Sequence, residues 1–257
     1  MRIFDTHAHY TSPKFSEDRA ELMAKMESAG IGAIMNVGCC EPSSLDAVAQ
    51  AEQYEFLYAA VGNHPDDADQ LDDGLLARYR DLAKHPKVKA IGEIGLDYYY
   101  ETVPRQRQQD AFRRQLALAK ELDMPVIIHQ RNAYDDTLKI VDEFPGVRGV
   151  FHCFSGSVEY AKLVLKRGFY IGFTGVITFK NARKAVEVAE YAPLNRLLLE
   201  TDCPYMAPEP YRGTRCDSTM LPRMAERIAR LRGLTPEEIA EITWNNAVTL
   251  FGIEEQR

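Results

Sequence analysis

Ile3-Phe4-Asp5-Thr6-His7-Ala8-His9 begins with two apolar residues and then alternates polar with small or apolar ones. The period of two of a β-strand sends Asp5, His7 and His9 to one face and Phe4, Thr6 and Ala8 to the other. Three polar groups on one face of a buried strand need a partner. A divalent metal ion supplies one, because a neutral imidazole donates a lone pair to it, and an ionised Asp5 is then placed to orient a histidine. Taken alone, the two histidines fit a surface edge strand equally well. The rest of the chain decides between these readings.

Seven more runs rich in Val, Ile, Leu and Phe follow, at 33–38, 57–63, 88–96, 126–130, 149–154, 170–174 and 197–202. Longer stretches with apolar residues at helical spacing separate them, the pattern of a parallel sheet with crossover helices. The clearest helix follows Pro104, which suits a first-turn position, and carries Phe112, Leu116, Leu118, Ala119 and Leu122 on one side. Thr235-Pro236-Glu237-Glu238 reads as an N-cap, a first-turn proline and an acidic first turn for a closing helix through Leu250. No repeat, low-complexity tract or long linker interrupts the alternation.

Eight such alternations fit an open doubly wound sheet or a closed barrel, and the polar residues choose between them. Glu93 lies in Ile91-Gly92-Glu93-Ile94-Gly95-Leu96-Asp97, His129 ends Pro125-Val126-Ile127-Ile128-His129, His152 follows Gly149-Val150-Phe151, and Asp202 follows Leu197-Leu198-Leu199-Glu200-Thr201. A closed barrel makes the first and eighth strands neighbours and gathers all of these with His7 and His9 at one mouth, whereas an open sheet scatters them. The expected fold is therefore α/β, a (β/α)8 TIM barrel forming a single domain over residues 1–257.

A lone histidine after an apolar run is more often a core residue with one hydrogen bond. Two on successive strands, both at the exit end, reverse that preference. Glu93 has two oxygens with which to bridge two ions, and the glycines beside it let backbone or metal approach closely. Asp202 is placed to bind metal, to take a proton from water, or both. Four imidazoles and two carboxylates suit Zn2+, Mn2+, Fe2+ or Co2+ better than an all-oxygen cage. The ion's identity stays open, with Mg2+ retained beside Mn2+ and Zn2+.

Composition sets the outer bounds. Of 257 residues, 46% are hydrophobic and 27% charged, which allows a full core. The formal net charge of -7 provides no overall positive field for a nucleic acid, so a phosphate-rich substrate must be held locally by metal ions and a few arginines. The five cysteines, 39, 40, 153, 203 and 216, have no CxxC spacing and read as reduced thiols. No secretion signal or apolar stretch of about 20 residues is evident, so a cytoplasmic location is expected, with no membrane association and no obligate protein partner.

Six motifs in order resemble the TatD family of metal-dependent deoxyribonucleases, within the amidohydrolase-like barrels, over nearly the whole chain. They are Phe4-Asp5-Thr6-His7-Ala8-His9, Gly62-Asn63-His64-Pro65, Gly92-Glu93-Ile94-Gly95-Leu96-Asp97, Pro125-Val126-Ile127-Ile128-His129-Gln130-Arg131, Phe151-His152-Cys153-Phe154-Ser155-Gly156 and Glu200-Thr201-Asp202-Cys203-Pro204. The resemblance implies two divalent ions per chain, with His7, His9 and Asp202 around one, His129 and His152 around the other, and Glu93 shared. Asp202 and Glu93 are then the catalytic carboxylates. Water deprotonated towards Asp202 attacks a phosphodiester phosphorus while the ions stabilise the charge. The implied activity is 3'-5' exonucleolytic hydrolysis of DNA, with single-stranded or frayed 3' ends as partner. The alternative is a deacylase or amidohydrolase acting on D-aminoacyl-tRNA or a small metabolite.

His64 is placed to contact a phosphate or leaving group, or else to stabilise its turn. Arg131 and Arg212 are candidate phosphate clamps, since a guanidinium offers paired donors. Tyr98-Tyr99-Tyr100 either stacks on a nucleobase or only caps the barrel. Lys180 faces phosphate or, more simply, solvent; His85 and Trp244 read as structural. Two segments depart from the family pattern: Cys216-Asp217-Ser218 stands where Asn-Glu-Pro is common, and Gln130 and Asn132 stand where a serine and an acid are frequent. Both departures are expected where substrate is touched.

Overall fold

Every run of branched apolar residues singled out in the sequence becomes a strand in the structure, a computed structural model that describes residues 1–100 and 102–253. The strands are β1 (Ile3–Ala8), β2 (Ile31–Val37), β3 (Leu57–Val61), β4 (Val88–Asp97), β5 (Val126–Arg131), β6 (Gly149–Phe151), β7 (Tyr170–Phe173) and β8 (Leu197–Leu199). Their order in the parallel sheet follows the sequence. The helices between and after them are α1 (Arg19–Lys25), α2 (Glu41–Gln53), α3 (Asp73–Leu82), α4 (Arg105–Glu121), α5 (Tyr134–Asp142), α6 (Val158–Lys166), α7 (Arg183–Tyr191), α8 (Leu221–Arg232) and α9 (Pro236–Phe251). No helix among the described residues is long and apolar enough to cross a membrane.

The chain clusters into two compact units. The first comprises Met1–Asn36 and Cys153–Thr249, with Ile253. Here β7 pairs with β8 in parallel, and the chain just beyond β8 bridges to the end of β1 at Cys203 and Ala8 although nearly the whole chain separates them. The Asp202 N–H donates to the His7 carbonyl at 2.8 Å and the His9 N–H to the Cys203 carbonyl at 2.9 Å. On the other side of β1, Ile3 is in register with Ile31 and Phe4 with Ala33 of β2. Leu197, Leu198 and Leu199 are fully buried, as are Ile3 and Ile171, so no face of these strands is left to water. That explains runs without polar alternation.

The second unit comprises Val37–His152 with Leu250–Gly252. In it β3, β4, β5 and β6 pair in parallel in that order. Gly95, with φ +146, lies directly against β5, where an added Cβ would overlap the His129 carbonyl. Helix α4 buries Phe112, Leu116 and Ala119 and turns Arg113 outward to Glu143 at 2.7 Å.

Several boundaries differ from expectation. Pro104 is the N-cap of α4 and not a first-turn residue, because its extended ψ of 136° stops the helix at Arg105. The sixth and eighth strands end early, at Phe151 and Leu199, and the chain then passes through left-handed backbone at Cys153 (φ 42) and Asp202 (φ 56). At α9 the expected cap is present: the Thr235 N–H donates to Glu238 Oε2 at 2.7 Å and the Glu238 N–H to Thr235 Oγ1 at 3.2 Å. The helix runs to Phe251, one residue beyond Leu250.

Candidate metal centre

In the first unit the period of two along β1 and the left-handed turn at Asp202 bring three donors together. His7 Nε2 and His9 Nε2 are 3.0 Å apart, and Asp202 Oδ1 lies 3.8 Å from the former and 3.4 Å from the latter. A non-glycine residue at positive φ costs of order 1–3 kcal/mol and persists where the surroundings dictate it. Here the backbone bonds between residues 202–203 and the end of β1 hold Asp202 in that conformation.

Asp5 supports this arrangement from below, but not in the way expected. Its carboxylate does not orient an imidazole. It accepts from the backbone N–H of His7 at 3.3 Å and of Thr201 at 2.9 Å, and from the hydroxyls of Thr201 and Ser218 at 2.6 Å each. Burial pushes its pKa up to about 6 against the lowering effect of these bonds. Ser218 also receives Tyr10, with the two hydroxyl oxygens 2.8 Å apart. Cys216 and Ser218 are fully buried. At the Cys216-Asp217-Ser218 departure, Cys216 and Ser218 therefore belong to the packing beneath β1. Burial raises the Cys216 thiol pKa well above the usual range.

In the second unit the donors converge on one carboxylate oxygen. Glu93 Oε1 lies 2.6 Å from His152 Nε2, 2.8 Å from His129 Nδ1 and 3.7 Å from His64 Nε2. His152 Nε2 and His129 Nδ1 are 3.3 Å apart. His129 turns its other nitrogen to Asp97 Oδ2 at 3.0 Å. A carboxylate on one ring nitrogen fixes the tautomer that leaves the other nitrogen's lone pair for an ion. With no ion between them, His129 faces a carboxylate from each ring nitrogen; burial disfavours its charge, but the bonds to Asp97 and Glu93 outweigh it and lift its pKa to about 9. His64 is the opposite case: burial and then the neighbouring His129 lower its pKa to about 4. Its Nδ1 accepts from the Asp66 N–H at 3.2 Å, so it both stabilises its turn and presents Nε2 to the cluster.

Both sets suit a divalent ion by their chemistry. Two nitrogens bound to one tetrahedral ion at about 2.0–2.1 Å lie roughly 3.3 Å apart. The donors of His7, His9 and Asp202, and likewise those of His64, Glu93 and His129, fall within 4.8 Å of one another. Each set mixes imidazole with carboxylate, as borderline divalent metals prefer.

Sequence reasoning gave no role to three residues that the structure connects to these sets. Asp97 accepts from His129 at the end of β4. Cys39 donates its thiol to Glu93 Oε2 at 3.6 Å. Glu200, fully buried, accepts the Cys153 N–H and also Thr6 Oγ1 at 3.4 Å, steadying the left-handed turn that follows His152. A buried carboxylate inside an otherwise apolar run was the available signal for Glu200.

Arg131 places its guanidinium 3.8 Å from the centre of the Tyr99 ring, and Arg212 places its own 4.4 Å from that of Phe179 in an exposed loop of the first unit. Tyr98 is nearly buried and bonds to Asp136, whereas Tyr99 and Tyr100 are exposed. Lys180 faces solvent, His85 bonds to Glu52 at 3.1 Å, and Trp244 packs against Phe4, all as expected.

Comparison with known proteins supplies the deciding observation: the family model for the TatD related DNase matches residues 4–252. The chain belongs to the TatD family. It is 44% identical over 253 residues to the uncharacterized metal-dependent hydrolase YabD of Bacillus subtilis, covering 98% of this chain and 99% of that protein. It is 34% identical to the 3'-5' ssDNA/RNA exonuclease TatD of a Rahnella species, covering 99% and 100%. The solved structure of YJJV, a TatD homolog from Escherichia coli k12, superposes with a TM-score of 0.92 at 35% identity, covering 98% and 99%. The fold is the (β/α)8 barrel of the family, and the chain is a metal-dependent hydrolase of the TatD family.

Proposed function

We propose that this chain is a 3'-5' exodeoxyribonuclease that hydrolyses phosphodiester bonds at single-stranded or frayed ends, acting as one domain over residues 1–257. What carries the reading is the pair of mixed imidazole and carboxylate sets at strand ends, in a chain that aligns end to end with a relative named as an ssDNA/RNA exonuclease.

In this reading His7, His9 and Asp202 would hold one divalent ion, and Glu93, His129 and His152 would hold a second. Mg2+, Mn2+ and Zn2+ are the candidate ions. Bound there, the ions supply Lewis acidity, polarising the phosphoryl oxygens and making water acidic enough to deprotonate near neutral pH. Asp202 takes the proton from the attacking water. Asp97 accepts from His129 Nε2, which leaves Nδ1 as the nitrogen that would face an ion. His64, kept neutral by burial, offers Nε2 to the phosphate or leaving oxygen, and Arg131 and Arg212 offer guanidinium donors to flanking phosphates.

The test is degradation of 3'-labelled and 5'-labelled single-stranded DNA by metal-stripped protein resupplied with Mg2+, Mn2+ or Zn2+, with Asp202→Ala alongside. Early loss of the 3' label, dependent on added metal and missing in the variant, is expected. Folded, metal-loaded protein that cleaves neither substrate would sink the nuclease reading and direct the search to aminoacyl-tRNA and small esters or amides.

A further inference from the structure

The aromatic run after β4 divides into two kinds of residue. Tyr98 is 9% exposed; its hydroxyl donates to Asp136 at 3.0 Å and accepts from Gln109 at 2.8 Å, so it packs. Tyr99 and Tyr100 are 56% and 61% exposed, with rings nearly perpendicular and centres 4.8 Å apart. Arg131 lies over both, 3.8 Å from the centre of the Tyr99 ring and 4.9 Å from that of Tyr100. Its side chain makes no ion pair or hydrogen bond among the described residues.

Two links fix this group relative to the second donor set. The Tyr99 N–H donates to Asp97 Oδ1 at 2.7 Å, and the other oxygen of that carboxylate bonds to His129. Along β5, Arg131 follows His129 on the same strand face, about 7 Å further on at roughly 3.3 Å per residue. A guanidinium stacked on an aromatic ring keeps its in-plane N–H donors free, and it offers its outer face, like an exposed ring, to a flat partner.

We infer that Tyr99, Tyr100 and Arg131 form a subsite for one nucleotide of a single strand beside the His129–Glu93–His152 set. Tyr100 and the outer face of the Arg131 guanidinium receive the base, the guanidinium edge holds a phosphate, and Tyr99 supports Arg131 from beneath. The inference takes its substrate class from the phosphodiesterase reading. It adds that bases are gripped through their π-faces, without sequence preference, in a chain whose net charge of -7 gives no general attraction to nucleic acid.

The experiment measures binding apart from cleavage. A 5'-fluorescein single-stranded octanucleotide with phosphorothioate linkages, and the same strand with abasic residues at its three 3'-terminal positions, are titrated with Mn2+-loaded protein and followed by anisotropy. Wild type is expected to bind the base-bearing strand about tenfold more tightly. Tyr100→Ala removes most of that difference and Tyr100→Phe keeps it. Arg131→Ala weakens both strands. Equal binding of the two strands by wild type, binding of neither, or an unchanged difference in Tyr100→Ala would overturn the subsite. Base-dependent binding without cleavage of the ordinary phosphodiester strand would leave the subsite standing and remove the nuclease reading.

Discussion

The two donor sets have similar members but are held in place by different means. His7, His9 and Asp202 are positioned through the backbone: Asp5 ties the amides of His7 and Thr201, and residues 202–203 are hydrogen-bonded to the end of β1. Glu93, His129 and His152 are positioned through their own side chains, with Asp97 holding the far nitrogen of His129. The first set is shaped by folding, whereas the second is shaped by charge. Damage beneath the first should therefore show as lost stability, and damage behind the second as lost metal affinity.

The largest effect is expected from Glu93→Ala, which removes the carboxylate on which the second set converges. Hydrolytic activity should fall roughly a thousandfold or more, about 4 kcal/mol of charge stabilisation, with the far-UV circular dichroism unchanged. Full activity in that variant would defeat any scheme in which Glu93 holds metal.

Next comes Asp5→Ala. It leaves two buried amides and two hydroxyls without their acceptor, and should cost about 2–4 kcal/mol in urea unfolding. A loss confined to activity, with stability intact, would contradict the division between the two sets. Asp97→Asn should do the reverse, lowering metal affinity or activity about 10- to 100-fold with little change in the unfolding midpoint.

What sequence alone revealed follows the same division. Strands were legible because burial on both faces removes polar alternation, as in Val126-Ile127-Ile128 and Leu197-Leu198-Leu199. The donors were legible because polar residues at the ends of such runs stand out. The supports were not: Asp97, Ser218 and Cys39 are ordinary residue types in ordinary surroundings until the fold brings a partner to them. The ends of β6 and β8 were overextended because their left-handed turns use Cys153 and Asp202, with no glycine to mark them.

The smallest effect concerns the thiols. Cys203 and Cys216 are fully buried, and burial lifts the Cys203 pKa to about 12, so both should resist a thiol reagent in the folded protein. Cys39, Cys40 and Cys153 are half-buried and should react. Cys39 is expected to slow further when metal occupies Glu93. Equal rates for all five thiols would show the packing beneath β1 to be looser than described.

The central claim, one ion for each donor set, is tested most directly by counting metal. Stripped protein reloaded with Mn2+ and freed of excess should retain two ions per chain by elemental analysis, and His9→Ala and His129→Ala should each retain one. One ion in wild type, or an undiminished count in either variant, would contradict it.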